Sequence, residues 1–335
     1  MTMNAHLRDQ LTTRLLEDFQ RDLPLVSRPF AEIAGRLASQ EETVIAALQM
    51  LVSSGAIARV GGVVKPNTFG ASTLAALAAP ALDVERIAGL LTSESGINHV
   101  YLRENALNIW FVATGPDRAY VDALLARVQH RTHCDVLDLR LERPYHIDLG
   151  FALDGGTRKP HSIGGTPIRA DFTERPGDRE LLQMLTDGMP LVAEPFAELG
   201  RTLARSEESI IERLKDFVTA GVVPRMGVIV RHRALGWRSN AMVVWQIPED
   251  EVDAAGTRLA TAPGINLCYR RTTHGDRWPF NLYCMVHARS REEALELLAD
   301  ATGTAGLDGY PRQILFSLRC FKQTGALLTV PKEAA

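Results

Sequence analysis

The chain has 335 residues, of which 46% are hydrophobic and 23% charged, and its formal net charge is −3. This length allows two or more domains with cores of their own, and the slight negative charge excludes a strongly basic nucleic-acid-coating protein. No signal-peptide core or membrane-length apolar run is present, so we expect a cytoplasmic protein. Four scattered cysteines without a CxxC pair predict reduced thiols and no zinc site.

The sequence contains an internal duplication, and a missed repeat would lead to the wrong fold. Residues 24–64 align without a gap with residues 190–230, and 18 of these 41 positions are identical. The aligned pairs further along include Tyr101 with Tyr269, Arg103 with Arg271, and Asn108 with Asn281. Between the last two of these pairs, copy two carries an insertion of about five residues.

In chain order, each copy begins with a helical part. In copy one, apolar residues at helical spacing mark a first helix across 11–19, and Pro29 starts a second. Ser39, followed by two glutamates, predicts the cap of a third helix, which Gly55 ends. Its predicted buried face consists of Val44, Ile45, Leu48, Leu51 and Val52. Residues 57–64 then predict a β-hairpin at a Gly-Gly pair, which completes a winged helix-turn-helix.

The second part of each copy reads strand, helix, strand, strand, helix, strand, which is the order of a ferredoxin-like βαββαβ domain. In copy one the predicted strands are 74–79, 99–103, 108–114 and 136–141, and the predicted helices are 84–91 and 118–128. The predicted fold class is therefore α+β, a duplicated winged helix-turn-helix plus ferredoxin-like domain. The predicted boundaries are 1–66 and 67–150 for copy one, a linker at 151–178, and 179–232 and 233–330 for copy two.

The stretch from Gly264 to His287 holds the densest group of anion-binding, proton-transferring and aromatic side chains in the chain. Its last seven residues predict a strand, whose side chains alternate between two faces. The polar face holds Asn281, Tyr283, Met285 and His287, and the apolar face holds Leu282, Cys284 and Val286. We interpret the polar face as part of a site for a large, flat, anionic ligand. The alternative is an edge strand with a solvated face.

A winged helix joined to a ferredoxin-like domain resembles the Lrp/AsnC family of transcription regulators, so DNA binding is a hypothesis to test. A recognition helix needs cations to approach the phosphate backbone. Residues 41–54 carry two acids and neither Lys nor Arg, and residues 207–218 carry four acids against Arg213 and Lys215. These charges argue against DNA binding. A weak phosphate contact near the wing is the remaining alternative, through Arg59, Arg225, Arg231 and Arg233.

Longer motifs resemble the sirohaem decarboxylases over nearly the whole chain. In copy one PLVSRPFAEIAGRL, GINHVYLRE and ERPYHIDLGF look like one subunit type of that family, and in copy two GINLCYRR, WPFNLYCMVHA and SLRCFKQTG look like the other. The resemblance implies a fused lyase that removes CO₂ from the acetates at carbons 12 and 18 of sirohaem, giving didecarboxysirohaem for d-type or ordinary haem. It implies no cofactor beyond the iron of the substrate. A homodimer and other haem-pathway proteins are further expected partners.

Decarboxylation of a pyrrole acetate needs a proton donor whose pKa lies near neutrality, and histidine is the default choice. His287, at the end of the predicted strand, is the first choice, with a strand-end cap as its alternative. His274, in the inserted loop, is the second choice, with a solvent-facing position as its alternative. Either histidine is also a candidate ligand of the sirohaem iron. Arg271 and its repeat mate Arg103 are predicted to clamp carboxylates, because a guanidinium binds them bidentately.

The remaining candidates are predicted to contact the ring or its carboxylates. Tyr269 is grouped with the catalytic residues because it shares a face with Arg271, and its alternative is a core tyrosine. Arg270 has a surface ion pair as its alternative, and Trp278 a hydrophobic plug at the hairpin tip. The other predicted substrate contacts are Arg277, Asn281, Tyr283, His99, Tyr101, His146 and Lys322.

The copies differ at one informative position, because Thr114 in copy one stands where copy two has His287. We therefore predict the competent pocket in copy two, with copy one contributing a wall or a degenerate site. Removal of two acetates requires either one pocket that binds the macrocycle in two poses or two working pockets, and we favour the first. The ferredoxin-like domains pair through their sheets either within one chain or across a homodimer.

Overall fold

The computed structural model describes residues 2–147, 168–231, 233 and 236–330. The chain divides into two compact units that each draw on both copies. The first unit includes residues 2–68 and 168–231, which are the helical parts of the two copies. The second includes 69–147 and 236–330, which are the ferredoxin-like parts. Most of the predicted linker, up to residue 167, lies outside the described residues.

Among the described residues, each copy contributes three helices and one strand to the first unit. Copy one supplies α1 (Thr2–Asp18), α2 (Pro29–Arg36), α3 (Glu41–Ser53) and β1 (Ile57–Val63), and copy two supplies α6 (Asp178–Asp187), α7 (Pro195–Leu203), α8 (Glu207–Thr219) and β7 (Arg225–Val230). The three predicted helices of copy one are confirmed, and Pro29 occupies the first turn of α2, where a missing N–H costs nothing. No described helix is long and apolar enough to cross a membrane.

The start of α3 differs from its prediction by one residue. Gln40, not Ser39, is the N-cap, and its side chain makes no capping hydrogen bond. In copy two Ser206 takes this position, and its Oγ accepts from the backbone N–H of Ser209 at 3.2 Å. The buried face of α3 is also narrower than predicted, because Val52 is 39% exposed.

The Gly-Gly pair of copy one does not form the predicted hairpin. β1 is one continuous strand that pairs antiparallel with β7, and Gly61 lies opposite Gly227. A Cβ at Gly61 would lie 2.2 Å from the carbonyl oxygen of Leu185, and one at Gly227 would lie 2.5 Å from that of Phe19. These glycines therefore permit close packing of strand against helix rather than a turn. Each copy completes its two-stranded sheet with the other copy.

The second unit contains the remaining strands and helices. Copy one supplies β2 (Ala71–Leu77), a 3-10 turn (Ala81–Asp83), α4 (Val84–Ser93), β3 (Ile97–Arg103), β4 (Ile109–Gly115), α5 (Arg118–Thr132), β5 (Leu137–Leu139) and β6 (Leu141–Ile147). Copy two supplies β8 (Ser239–Trp245), α9 (Val252–Leu259), β9 (Ile265–Arg271), β10 (Leu282–Ala288), α10 (Arg291–Ala305) and β11 (Arg312–Gln323). Both copies follow the predicted βαββαβ order.

The two copies exchange their last strands. The sheet has the order β5-β2-β4-β3-β11-β8-β10-β9-β6. The first part of β11 pairs with β8 of its own copy, and the second part pairs with β3 of copy one. In the same way, β5 pairs within copy one while β6 pairs with β9 of copy two. Only Arg140 separates β5 from β6, so the sheet closes on itself, and the copies pair within one chain.

Three buried clusters stabilise this unit. One lies between the copy-one strands and α4 and α5, and a second lies between the copy-two strands and α9 and α10. The third, the inner core, lies on the opposite face and draws on both copies, with Trp110, Trp278 and Tyr283 among its members. The predicted two faces of β10 are confirmed, since Cys284 belongs to the helix-covered cluster and Tyr283 to the inner core.

Candidate active site

His287 lies near the end of β10, and both of its ring nitrogens meet asparagine side chains. Nε2 lies 2.8 Å from Asn240 Nδ2, and Nδ1 lies 3.0 Å from Asn266 Oδ1. An amide nitrogen only donates and an amide oxygen only accepts, so neutral His287 carries its proton on Nδ1 and a lone pair on Nε2. The side chain is 7% exposed. Two dedicated partners orient the ring, as expected of a positioned acid–base group.

Copy one supplies a cation to this histidine. Arg103, at the end of β3, is 5% exposed, and its Nη1 donates to Asn240 Oδ1 at 3.4 Å and to the Leu315 carbonyl at 3.0 Å. The contact with Oδ1 determines which way the Asn240 amide points, so Arg103 acts on His287 through Asn240. We call Arg103, Asn240, Asn266 and His287 the His287 group.

Three further side chains lie just outside the same two strands, before the start of β8 and after the end of β10: Trp237, Arg238 and Arg289. β8 and β10 pair as far as Ser239 and Ala288, so Arg238 and Arg289 come directly after the last pair. Both arginines are exposed, and the Arg289 guanidinium lies 5.9 Å from the centre of the Trp237 ring. The sequence analysis missed these residues, although a tryptophan beside an arginine in GWRSN was an available signal. We call them the rim; cations beside an aromatic face suit a flat anionic ligand.

Arg271 lies at the other end of β10 from His287. Its backbone N–H pairs with the carbonyl of Asn281. Six residues of extended chain, about 20 Å, separate Asn281 from His287. Arg271 and His287, the predicted carboxylate clamp and proton donor, therefore lie at opposite ends of β10. The cation near His287 comes instead from copy one.

A second group, the Arg271 group, consists of Tyr269, Arg271, Trp278 and Tyr283. The Arg271 guanidinium lies 5.1 Å from the centre of the Tyr269 ring and 5.9 Å from that of Tyr283. Its Nη1 donates to the Leu139 carbonyl at 2.9 Å, and no carboxylate of the described residues pairs with it. Burial lowers the pKa of Arg271 and raises the pKa of both tyrosines.

Trp278 is buried as a hydrophobic plug, which was the alternative to its predicted contact with the substrate ring. It is 2% exposed and packs in the inner core, where its ring centre lies 5.2 Å from that of Trp110 and 4.9 Å from that of Phe280. Its Nε1 donates to the hydroxyl of Tyr283 at 2.6 Å. The inserted segment of copy two therefore helps to join the copies, and Trp278 has no face left for a substrate ring.

The inserted loop is anchored to strand β5 of copy one. His274 Nε2 lies 2.9 Å from the carbonyl oxygen of Asp138, which only accepts, so Nε2 carries a proton. Thr272 donates from its backbone N–H to the Arg140 carbonyl at 3.0 Å. Arg277, a predicted substrate contact, is exposed and lies 3.6 Å from Asp135. The structure places the loop beside the Arg271 group, away from His287.

Arg270 points to the opposite face from Tyr269 and Arg271. It forms ion pairs with Glu142 at 2.8 Å, with Asp253 at 3.6 Å, and with Glu249. These three carboxylates raise the pKa of the guanidinium against the opposing effect of burial, which is the largest single influence. The surface ion-pair alternative is the one the structure shows, and the predicted substrate contact is not supported.

Asn281 has a structural role, because both ends of its side-chain amide bind the main chain. Its Oδ1 accepts from the backbone N–H of Ile247 at 3.0 Å, and its Nδ2 donates to the Ile247 carbonyl at 2.8 Å. The equivalent Asn108 makes the same two bonds to Ala79 in copy one, at 2.8 and 2.9 Å. An amide used in this way in both copies is a shared structural device, so the predicted substrate contact at Asn281 is not supported.

His146 and Lys322, two predicted substrate contacts, lie within the last strands of their copies, β6 and β11. Lys322 Nζ donates to the carbonyls of Thr92 and Glu94, both at 2.9 Å, at the end of α4. His146 is 4% exposed, on β6 opposite Cys268. His99 stacks against Tyr101 with ring centres 6.3 Å apart. In the part of the chain that the structure describes, no group of three or more His, Cys, Asp or Glu side chains could hold a metal ion.

The charges of the first unit agree with the prediction against DNA binding. Arg213, one of two cations on α8, is 2% exposed and pairs with Asp178 and Asp216. Arg225 is also 2% exposed, and its Nε donates to the Gln20 carbonyl at 2.8 Å. Neither arginine is available to a phosphate, whereas the acids at the start of α3 and α8 remain.

Comparison with known families agrees with the duplicated organisation. The family model described as "Siroheme decarboxylase NirDL-like HTH domain" matches residues 13–57 and 178–223. The model described as "AsnC-like ligand binding domain" matches residues 68–146 and 234–322. Each model therefore matches once in each copy.

Individual relatives match either nearly the whole chain or somewhat less than half of it. The "Siroheme decarboxylase NirDL subunit" of Paracoccus pantotrophus is 50% identical over 96% of this chain and 98% of its own length. The "Siroheme decarboxylase NirL subunit" of Stutzerimonas stutzeri is 41% identical over 45% of this chain and 89% of its own. A solved structure, "siroheme decarboxylase NirDL in co-complex with iron-uroporphyrin III analogue", has a TM-score of 0.65 at 24% identity, covering 95% of this chain and 93% of that one.

Proposed function

This chain belongs to the sirohaem decarboxylases, and we propose that it removes CO₂ from the acetate side chains at carbons 12 and 18 of sirohaem. The product is then didecarboxysirohaem, a precursor of d-type or ordinary haem, formed with no cofactor beyond the iron that the substrate carries. A protein of the same fold has been solved with an iron-uroporphyrin III analogue, which supports a tetrapyrrole ligand. The observation that carries our choice of site is the pair of asparagines that orients His287.

In the proposed reaction, the bond between the acetate methylene and its carboxylate carbon breaks. CO₂ leaves, and the electron pair stays on the methylene carbon, where the conjugated ring spreads the charge. His287 that has taken up a second proton from solvent at Nε2 then transfers that proton to the carbon, so the methylene becomes a methyl group and the ring returns to its neutral form, with its proton on Nδ1. Each acetate thus loses one CO₂ and gains one proton, and no oxidant or reductant is consumed. A positioned donor of this kind contributes ~10²–10⁴-fold to the rate.

The contact between Asn240 and His287 sets a condition on this step. In the structure Nε2 faces the Asn240 amide N–H groups. Nε2 can therefore carry a proton only after this amide has moved away from it. We infer that the substrate displaces Asn240 from Nε2 when an acetate reaches the ring. His287 is then oriented by Asn266 through Nδ1 while Nε2 points at the substrate.

The rim suits the carboxylates that do not react. Arg238 and Arg289 are exposed cations, and Trp237 presents an aromatic ring beside them. A guanidinium binds a carboxylate through two parallel hydrogen bonds, which would fix the macrocycle in register with His287. The reacting acetate is expected to lie away from these cations, because an ion pair would stabilise its charge in the ground state and slow the loss of CO₂.

The proposal is tested by incubating the purified chain with sirohaem without oxygen and measuring the mass of the tetrapyrrole. Loss of two CO₂ units per molecule is the expected result. Sirohaem incubated without the protein controls for spontaneous decay. Unchanged sirohaem, when its absorption spectrum shows that it is bound to the protein, would contradict the proposal.

A further inference from the structure

Helix α3 and its repeat mate α8 differ in charge along their lengths. Both helices have 13 residues, and both carry two glutamates in the first turn. Beyond that turn, four positions that are charged in α8 are uncharged in α3. The aligned pairs are Ala46 with Glu212, Ala47 with Arg213, Gln49 with Lys215, and Met50 with Asp216. The two copies therefore present chemically different helices on the same framework.

In copy two, part of this charge binds the segment that precedes α6. Asp216 pairs with Arg169 at 2.9 Å and with Arg213. The chain that begins at Arg169 therefore lies against this side of α8. Met50 takes the place of Asp216 in copy one and is 51% exposed. A large apolar side chain thus faces solvent at the position where copy two has an ion-paired carboxylate.

The exposed residues of α3 form one stripe along the helix. Four of them follow at spacings of three and four residues, which places them on one side: Thr43, Ala46, Met50 and Ser53. Gln49 lies beside this stripe, and its Nε2 donates to the Leu191 carbonyl at 3.2 Å. This bond brings the neighbouring Val192, which is 44% exposed, to the edge of the stripe. We call the four residues, with Gln49 and Val192, the α3 face.

The α3 face has a charge of opposite sign at each end. Glu42, in the first turn of the helix, is exposed. Beyond the other end, Nη1 of the exposed Arg231 would lie 3.6 Å from a Cβ built at Gly55. The order along the helix is therefore acid, uncharged patch, base. A surface with this order is complementary in charge to a second copy of itself that runs in the opposite direction.

We propose that the α3 face is an interface between two copies of this chain, in which the two α3 helices pack antiparallel about a two-fold axis. Such an axis places the same patch of both copies in contact. Glu42 of each copy then lies opposite Arg231 of the other. Met50 of each copy lies opposite Ala46 of the other, whose small side chain leaves room for the flexible methionine. A parallel arrangement would instead bring like charges together.

The α3 face is small for a dimer interface. A helix of 13 residues is about 20 Å long, and its exposed side is about 10 Å wide. This area lies well below the ~800 Å² per partner of a standard interface. We therefore expect a reversible dimer that dissociates on dilution. The interface belongs to the first unit and does not depend on the proposed decarboxylation.

Sedimentation velocity of the full chain, from micromolar to millimolar concentration, tests the interface. The wild type is expected to change from monomer to dimer as the concentration rises. Met50→Glu places an unpaired carboxylate in each half of the contact, so the dissociation constant should rise by ~10²-fold or more. Val218→Glu is the matched control, because Val218 lies on α8, is 42% exposed and is outside the α3 face. This variant should dimerise like the wild type.

Charge reversal at the two ends of the α3 face tests the antiparallel arrangement. At low ionic strength, Glu42→Arg and Arg231→Glu should each weaken dimerisation by ~10-fold, because the two-fold axis repeats every change. The variant that carries both substitutions again has opposite charges at the two ends, so it should dimerise like the wild type. A purely structural role of either residue would not produce this recovery.

A wild-type chain that stays monomeric over the whole concentration range would overturn the proposal. A dimer that persists in Met50→Glu with the wild-type dissociation constant would also overturn it, because the copies would then meet through another surface. In the double charge reversal, weakening by the product of the two single effects would exclude the antiparallel pairing of the helices.

Discussion

Arg103 donates a hydrogen bond from Nη1 to Oδ1 of Asn240 at 3.4 Å, and this contact joins a buried cation of one copy to the histidine of the other. Because the bond orients the Asn240 amide, it also decides which nitrogen of His287 carries the proton. The fusion of two copies thus has a consequence for chemistry, since neither copy alone contains the complete His287 group.

The first prediction concerns this orientation. In the wild type, nitrogen chemical shifts of ¹⁵N-labelled histidine should show neutral His287 protonated on Nδ1. Asn240→Ala removes the donor to Nε2, so both tautomers should become populated, and decarboxylation should not slow, because this amide must leave Nε2 before the proton transfer in the wild type as well. Ser72→Ala, at the equivalent position of copy one, should change neither quantity. A wild-type His287 protonated on Nε2 would refute this view of the group.

The second prediction concerns the inner core. Tyr283→Phe leaves the buried N–H of Trp278 without its acceptor, so the free energy of unfolding should fall by about 1–3 kcal/mol. Tyr269→Phe is the control, because the structure shows no hydrogen bond from that hydroxyl among the described residues, and it should be close to neutral. Urea denaturation of the full chain measures both. Equal effects of the two substitutions would show that the indole bond contributes nothing.

Much of the fold follows from local sequence, and the exchange of strands does not. The alternation of Tyr283 and Cys284 between two faces is visible in the sequence because strand periodicity is a property of neighbours. The pairing of β6 with β9, and of β11 with β3, joins segments more than 100 residues apart. Local sequence patterns do not predict such pairings. The Gly61-Gly62 pair was misread for the same reason, since its partners, Leu185 and β7, are distant in the chain.

The third prediction tests that reading of the glycines. Gly61→Ala places a methyl group 2.2 Å from the Leu185 carbonyl oxygen, and the overpacking should destabilise the first unit by about 1–3 kcal/mol. Gly35→Ala, in α2, meets nothing within 4 Å and should stabilise the unit by about 0.5–1 kcal/mol, because alanine loses less entropy in a helix. Thermal unfolding followed by circular dichroism compares them. A Gly61→Ala chain as stable as the wild type would restore the turn interpretation.

The fourth prediction concerns pH. Burial tends to raise the pKa of Asp138, but hydrogen bonds from Thr73 and Arg140 and the charge of Arg118 outweigh it, so the pKa is lowered. A carboxylate with a lowered pKa stabilises the folded state above its unfolded pKa, near 4, and this contribution is lost as the pH falls through the folded value. Asp138→Asn should therefore lower the unfolding midpoint at pH 7 and progressively less below pH 4. A difference that does not depend on pH would contradict this assignment.

The candidate site was predictable in part. His287 stood out because the repeat comparison set it against Thr114, and the structure supplies its partners, Asn240 and Asn266. The two asparagines and Arg103 come from three other strands, so only the sheet order brings them together. Arg238 and Arg289 are far apart in the sequence, and only the pairing of β8 with β10 brings them together in the rim. Arg271 was predicted as a carboxylate clamp from the chemistry of its guanidinium, and the structure separates it from His287 by the length of a strand.

The most direct test of the account is the single-turnover rate of CO₂ loss from bound sirohaem in His287→Gln compared with His274→Gln. Glutamine at 274 still donates to the Asp138 carbonyl and should preserve the wild-type rate. Glutamine at 287 preserves contacts with the asparagines but has no proton to transfer, so sirohaem should bind while the rate falls ~10²-fold or more. A wild-type rate in His287→Gln, or a comparable loss in His274→Gln alone, would place the proton donor elsewhere.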